Sequence, residues 1–173
     1  MLTTPTRTPT RLSDSPPVRV VIADALTMSR ITLRSVLAAN GGCAVVETFD
    51  WAGAVKLVLE QRPHVLILDM AMPRVLDALR QVIDSAAGVR PVVVSATIRS
   101  EAVVTALALG ARGVLHGHVR PSVLSACVRA VTQGFYWVGD ECVGDAAAAY
   151  SRVRVDTPPV GGRCHSVAVT DVE

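Results

Sequence analysis

Short, unbroken apolar runs separated by stretches of helical periodicity constrain this chain more than any other feature. The runs fall at Val18 to Ala23, Cys43 to Thr48, Val65 to Leu68, Val92 to Val94 and Gly113 to His116, with an amphipathic segment after each. A strand with one wet face alternates apolar and polar residues, whereas a continuous apolar run is buried on both faces. Five such runs therefore predict a parallel sheet covered by helices on both sides.

The intervening segments carry helix signals. A first helix over about Thr27 to Ala39 places Leu33, Val36 and Leu37 on one face and stops at Asn40-Gly41-Gly42. Asp50 is placed to cap a second helix, whose Trp51, Val55, Val58 and Leu59 share a stripe, and Pro63 separates it from the third strand. A third helix carries Val75, Leu79, Val82 and Ile83, and Gly88 and Pro91 frame the turn into the fourth strand. The fourth helix runs from about Ser100 to Leu109 and ends at Gly110. The last begins near Pro121, spaces Leu124, Cys127, Val128 and Val131 as a helix does, and closes at Gly134. Right-handed crossovers between such strands give an α/β, doubly wound, five-stranded parallel sheet in the flavodoxin-like order 2-1-3-4-5.

The flanks have another character. Met1 to Pro17 is rich in Thr, Pro and Ser and holds few large apolar residues, so burial cannot offset its ordering entropy; a disordered leader is expected. Residues 18–138 form the predicted domain, and 139–173 read as a short Ala-rich helix, Gly139 to Tyr150, followed by a flexible tail around Pro158-Pro159-Val160-Gly161-Gly162. Half of the residues are hydrophobic although only 3% are aromatic, which suffices for a sizeable core built on Ala and Val. A net charge of +2 with no long Lys/Arg block speaks against direct nucleic-acid binding. The N-terminus has no apolar signal region, and no run approaches the ~18 apolar residues of a membrane span, so a cytoplasmic protein is expected. Cys43, Cys127, Cys142 and Cys164 form no C-x-x-C pair and fit reduced thiols. A zinc site from Cys142, Cys164, His165 and a distant histidine lacks the short paired spacing such sites use.

In doubly wound folds ligands bind at the carboxyl ends of the strands. Those ends offer Asp24, Asp69, Ser95 and the turn His116-Gly117-His118. Two carboxylates at neighbouring strand ends repel unless a cation sits between them, so Asp24 and Asp69 suggest a weak divalent-metal site, with magnesium the natural ion. A carboxylate beside such an ion can attack a phosphoryl group, and Asp69 is the better placed of the two. Ser95 could donate a hydrogen bond to a phosphoryl oxygen. Asp24 or Ser95 could equally cap its following turn; the convergence on one edge favours function.

The segments V-R-V-V-I-A-D-A-L-T-M-S-R, H-V-L-I-L-D-M-A-M-P, R-P-V-V-V-S-A-T and L-G-A-R-G-V-L resemble the successive strand-end motifs of bacterial response-regulator receivers, in order and spacing, over about 120 residues. Ala130 to Val138 further resembles the end of receivers of the NarL/LuxR-type class. The resemblance implies that Asp69 is the phosphoacceptor, Asp24 the first member of the acidic pair, and Ser95 the hydroxyl that bonds the phosphoryl group. It also implies departures. The second acidic position, a direct metal ligand in the family, is Ala25. The family's lysine after the fifth strand falls on Gly117, its switch aromatic falls on Val114, and the loop after Met72-Pro73 is about two residues short. Losing a metal ligand and the lysine removes charges worth a few kcal/mol each, so weak or absent phosphorylation is expected. A histidine on or beside a short strand is more often packing or surface than a substitute for that lysine, which leaves His116 and His118 with the bland reading.

After Trp137 about 35 residues remain, whereas a helix-turn-helix output domain takes roughly 60, so none is expected in this stretch. The resulting expectation is an atypical receiver acting by protein contact, as a homodimer or on another signalling protein. The resemblance implies contact through the last helix and the surface around the fourth helix and fifth strand. The alternative is a working phosphorelay receiver phosphorylated on Asp69 by a histidine kinase. A hydrolase is disfavoured, because no second carboxylate follows Asp69 at D-x-D spacing.

Overall fold

Backbone amides and carbonyls buried on both faces of a strand must find partners in neighbouring strands. The chain meets that demand with one sheet. The computed structural model describes residues 16–39, 42–96 and 100–139. Its elements, in chain order, are β1 (Val18–Ala23), α1 (Thr27–Ala39), β2 (Cys43–Thr48), α2 (Trp51–Gln61), β3 (Val65–Asp69), α3 (Val75–Ser85), β4 (Arg90–Ser95), α4 (Ser100–Ala108), β5 (Gly113–His116), α5 (Pro121–Thr132) and β6 (Trp137–Val138). The strands lie in the order β2-β1-β3-β4-β5-β6, and every pairing is parallel.

The expected order 2-1-3-4-5 is thus present, extended by a two-residue strand that the five-run pattern did not contain. β6 is too short to show periodicity. It forms because Gly134, at φ +94°, turns the chain back after α5 and lets the Trp137 amide donate to the Arg112 carbonyl. β4 is longer than the expected Val92 to Val94: it starts at Arg90, paired with Val65, and takes in Ser95 as its last residue. The predicted leader lies outside the described residues up to residue 15, as do Asn40-Gly41 and, beyond Gly139, the predicted Ala-rich helix and tail with Cys142, Cys164 and His165.

Alternate residues of each strand feed two cores. On one face Val21, Ala23, Leu66, Leu68, Val93 and Val114 are covered by α2, α3 and α4; on the other Val20, Ile22, Val65, Ile67, Val92 and Leu115 are covered by α1 and α5. Burial on both faces explains the unbroken apolar runs, since β3 is buried from Val65 to Leu68. β2 is the edge strand and alternates half-buried with exposed residues over Cys43 to Val46, which leaves Cys43 only half-buried. Two residues assigned to helix stripes, Leu59 and Ile83, are exposed at the margins of α2 and α3 rather than in the core.

Asp50 caps α2 as its sequence position predicts, its Oδ1 accepting from the Gly53 amide at 2.6 Å. The α3 N-terminus is built differently. Arg74 occupies the left-handed region at φ 58° with no side-chain cap, and its guanidinium lies 4.9 Å from the Trp51 ring centroid and 3.1 Å from Asp77. The chain turns from Pro73 directly into α3, and a left-handed Arg74 accomplishes this at some steric cost.

Candidate functional site

The crossover topology brings every strand to the same edge at its carboxyl end, so the residue after each strand faces a common crevice. β1 and β3 pair Ala23 with Leu68, which sets Asp24 and Asp69 one step further on as neighbours. β4 and β5 pair Ser95 with His116. The structure therefore gathers Asp24, Asp69, Ser95 and the His116-Gly117-His118 turn at one edge.

Asp24 is buried, at 4% exposure. Its Oδ1 accepts from the Leu26 amide at 2.7 Å, its own amide donates to the Thr48 carbonyl at 3.3 Å, and its carbonyl accepts from Arg30 Nη1 at 2.7 Å. Arg30 is the residue that sequence reasoning passed over. It donates as well to the Ala25 carbonyl and to Thr27 Oγ1, while its Nε lies 3.7 Å from Glu47 Oε2. The guanidinium fork thereby ties the β1–α1 loop to β2. An arginine one turn into the helix after a strand-end aspartate was a visible signal; its partner Glu47, far away in sequence, was not.

Asp69 is half-buried, and its Oδ1 accepts from the Ala71 amide at 3.0 Å. Burial pushes its carboxyl above the ordinary aspartate range, the Ala71 amide opposes that, and the nearby Asp24 carboxylate adds to the rise. Met70 and Met72 hold the following turn, through the Val94 carbonyl at 2.8 Å and the Asp69 carbonyl at 3.2 Å.

Gly117 sits where the strand leaves the sheet, its amide donating to the Ser95 carbonyl at 2.8 Å. A Cβ built at this position would lie 3.1 Å from Ala96 Cα and 3.2 Å from Ala96 N, closer than side chains normally tolerate. Glycine lets the turn approach the residue that follows β4 this closely. His116 is used locally: its Nδ1 accepts from the His118 amide at 3.3 Å, and the two ring centroids are 5.6 Å apart. Val114 is fully buried among the side chains beneath α4.

Magnesium favours oxygen ligands and keeps several waters, so two carboxylates with a bound phosphoryl group can hold it. Asp24 and Asp69 are the residues here with that chemistry, while Ala25 offers a methyl group. Among the described residues no three His, Cys, Asp or Glu side chains converge as a metal site would need. Another histidine, His64, is remote from this edge. Its Nδ1 accepts from the Arg19 amide at 2.9 Å, and burial together with Arg19 and Arg90 holds its pKa below the usual range, which marks a structural, neutral imidazole.

The sequence profile described as response regulator receiver domain matches residues 20–129, which takes in Asp24, Asp69 and Ser95. The chain belongs to that family. Receivers are modules of two-component signalling. A protein-glutamate methylesterase/protein-glutamine glutaminase 5 of Myxococcus xanthus (strain DK1622) is 36% identical over 150 residues, covering 83% of this chain; this chain spans only 40% of that protein. The signal receiver domain of the response regulator NarL from Mycobacterium tuberculosis superposes with a TM-score of 0.67 at 28% identity, over 69% of this chain and 99% of that one. A LuxR-family response regulator from Aurantimonas sp. SI85-9A1 shares the fold with a TM-score of 0.72 at 22% identity, over 79% of this chain and 99% of that one. No helix among the described residues is long and apolar enough to cross a membrane.

Proposed function

We propose that this chain is an atypical cytoplasmic receiver that signals through protein contact, as a homodimer or on another signalling protein, with phosphorylation of Asp69 weak or absent. The carrying observation is the closure of Gly117 onto Ala96. A receiver that stabilises a transferred phosphoryl group needs positive charge beside the acceptor, and at this position there is no cation, while any side chain would press its Cβ on the Ala96 backbone at 3.1 Å. With Ala25 beside Asp24, magnesium has one acidic ligand fewer as well, so binding is weak. Both deficits act on the same developing negative charge, and each is worth a few kcal/mol in a partly buried site.

The second reading is a phosphorelay receiver in which a histidine kinase still phosphorylates Asp69. What favours it is that Asp24, Asp69 and Ser95 all stand at the carboxyl edge. An enzymatic role is not part of either reading, because residue 71, at D-x-D spacing from Asp69, is an alanine whose amide is committed to that carboxylate.

Incubation with magnesium and acetyl phosphate, followed by intact-mass measurement beside an Asp69→Asn variant, separates the two. No adduct on either protein is expected. A stoichiometric adduct on the parent protein that is absent from Asp69→Asn establishes the phosphorelay reading instead.

A further inference from the structure

Parallel strands gather their amino ends at one edge, opposite the crevice that holds Asp24 and Asp69. That amino edge is basic. Arg19 stands in β1, Arg62 caps α2 just before β3, and Arg90 opens β4; these strands are neighbours in the order β1-β3-β4. His64 joins them. Its Nδ1 accepts from the Arg19 amide at 2.9 Å, its own amide donates to the Arg19 carbonyl at 2.8 Å, and its carbonyl accepts from the Arg90 amide at 3.0 Å. Burial, and then the charges of Arg19 and Arg90, hold the His64 pKa below its usual range, so both guanidinium groups lie within electrostatic reach of the ring. Arg19 and Arg90 each use one guanidinium nitrogen on a backbone carbonyl, that of Arg62 at 2.8 Å and that of Gly88 at 3.1 Å, which leaves the rest of each fork for another acceptor.

One arginine at a helix C-terminus is ordinary, because its charge complements the helix dipole. Three at one edge exceed that need. The ion pairs among the described residues involve Arg30, Arg34, Lys56 and Arg74, so no carboxylate there lies within 4 Å of Arg19, Arg62 or Arg90. Of the acidic residues nearest in sequence, Glu60 is engaged by Lys56 at 3.9 Å, and Asp84, near the end of α3, pairs with none of the three. Arg62 is exposed and occupies the left-handed region at φ 45°, where glycine would cost less. Its side chain makes no hydrogen bond among the described residues, so no structural contact explains an arginine there. His64 adds a donor. With Nδ1 accepting, the neutral ring carries its proton on Nε2, which has no partner among the described residues. The four side chains together offer positive charge and donors, and no acceptor.

We propose that the amino edge formed by Arg19, Arg62, His64 and Arg90 docks an acidic segment of a partner protein, an extended stretch rich in Asp and Glu. Charge and width decide the occupant. Neighbouring strands lie ~4.8 Å apart, so β1 to β4 spans about 10 Å, wider than one phosphate group and suited to carboxylates on alternate residues of an extended peptide, about 7 Å apart. Guanidinium forks also match carboxylates two bonds at a time. A nucleic acid calls for a longer basic track than this edge supplies in a chain of net charge +2. Exposed ion pairs are individually weak, so binding is modest and falls with salt. The proposal deepens the protein-contact reading by giving the partner its chemistry, and rests on that reading for its role in signalling; its measurement needs neither magnesium nor a phosphodonor.

Fluorescence anisotropy of a fluorescein-labelled hexaglutamate peptide, titrated with the full chain at about 20 mM and about 300 mM NaCl, tests it. The expected result is a dissociation constant below about 1 mM at the lower salt, weakened at least about fivefold at the higher. Arg62→Gln and Arg90→Gln should each weaken binding about threefold, and together about tenfold. Arg120→Gln, before α5 on the opposite edge, should leave it unchanged; far-UV circular dichroism checks that each variant is folded. In amide correlation spectra the peptide should shift the signals of Arg19, His64 and Arg90 and leave those of Asp24 and Asp69 in place. No binding at about 1 mM, or a loss in Arg120→Gln as large as in the double variant, overturns the proposal. Displacement of the peptide by equimolar inorganic phosphate overturns it in favour of a single-anion site, and tighter binding of an oligothymidylate strand through the same arginines in favour of a nucleic-acid surface. Failure here with no phosphoryl adduct on Asp69 leaves the contact reading in place with another surface; an adduct together with peptide binding removes that reading and keeps this edge.

Discussion

Gly117 and Ala96 approach each other so closely that a Cβ on the glycine would lie 3.1 Å from the alanine Cα. The contact is with backbone rather than with the end of a flexible side chain, so relief requires the end of β4 to shift. Gly117→Lys should therefore destabilise the protein by about 1 kcal/mol, and Gly117→Ala by a similar amount, because overpacking and not charge is responsible. Urea unfolding of both variants checks this. A Lys variant much less stable than the Ala variant would place the fault in the longer side chain rather than in the Cβ contact.

The same geometry shapes an attempt to rebuild the phosphorylation site. Ala25→Asp restores a metal ligand at an exposed position and should increase magnesium affinity at little structural cost. Combined with Gly117→Lys it should raise the acetyl phosphate adduct on Asp69 above that of either single variant, since each charge acts on the phosphoryl group by a separate route. Intact mass over a time course is the readout. No gain in the double variant would move the fault to the short loop in which Arg74 is left-handed.

Asp69 gives a pH-dependent prediction. Its carboxyl is held above the ordinary range, chiefly by burial, so the folded state binds its proton more tightly than the unfolded state. The ionised form thus costs stability at neutral pH, and this cost disappears as pH falls through the folded-state value and below the ordinary carboxylate range. Asp69→Asn should raise the denaturation midpoint at pH 7 and converge on the parent protein near pH 3. A constant gap between the two across that interval would show that lost or gained hydrogen bonds, not ionisation, set the difference.

Much of this site was legible because the topology repeats one rule. Each buried apolar run ends in a polar residue, and parallel strands deliver all of those ends to one edge, so Asp24, Asp69 and Ser95 could be named from spacing alone. The Asp50 cap is local for the same reason. What escaped the sequence depends on partners distant along the chain. Nothing near Arg30 announces Glu47; nothing near Arg74 announces Trp51; and Gly117 reads as a missing lysine without revealing how closely the Ala96 backbone approaches it.

Cys127 separates the two described thiols. It is fully buried on the inward face of α5, and burial alone pushes its pKa up to about 12, so no appreciable thiolate forms at neutral pH. Cys43, half-buried on the edge strand, is raised too, but its burial is opposed by the nearby Arg129 charge. Iodoacetamide at pH 8 followed by peptide mapping should modify Cys43 well before Cys127, and Cys127 should react only when denaturant opens the core. Equal labelling of both in the native protein would mean that α5 detaches readily.

Arg30 should matter for stability more than an ion pair suggests. Its side chain is only 15% exposed, and it donates to the Asp24 carbonyl at 2.7 Å, the Ala25 carbonyl at 3.3 Å and Thr27 Oγ1 at 3.2 Å, with Glu47 further off at 3.7 Å. Removing it in Arg30→Met leaves a partly buried carbonyl without its donor, which costs about 1–2 kcal/mol. Arg30→Lys should recover only part of this, because an ammonium cannot span several acceptors as the planar fork does. Salt distinguishes the contributions. At about 1 M NaCl the attraction to Glu47 is screened within ~3 Å, whereas the short bonds to the carbonyls are not. Most of the Arg30→Met loss should therefore persist in high salt when measured by urea unfolding; a loss that vanishes there would reduce Arg30 to the ion pair and leave the β1–α1 loop to its backbone bonds and the Leu26–Asp24 contact.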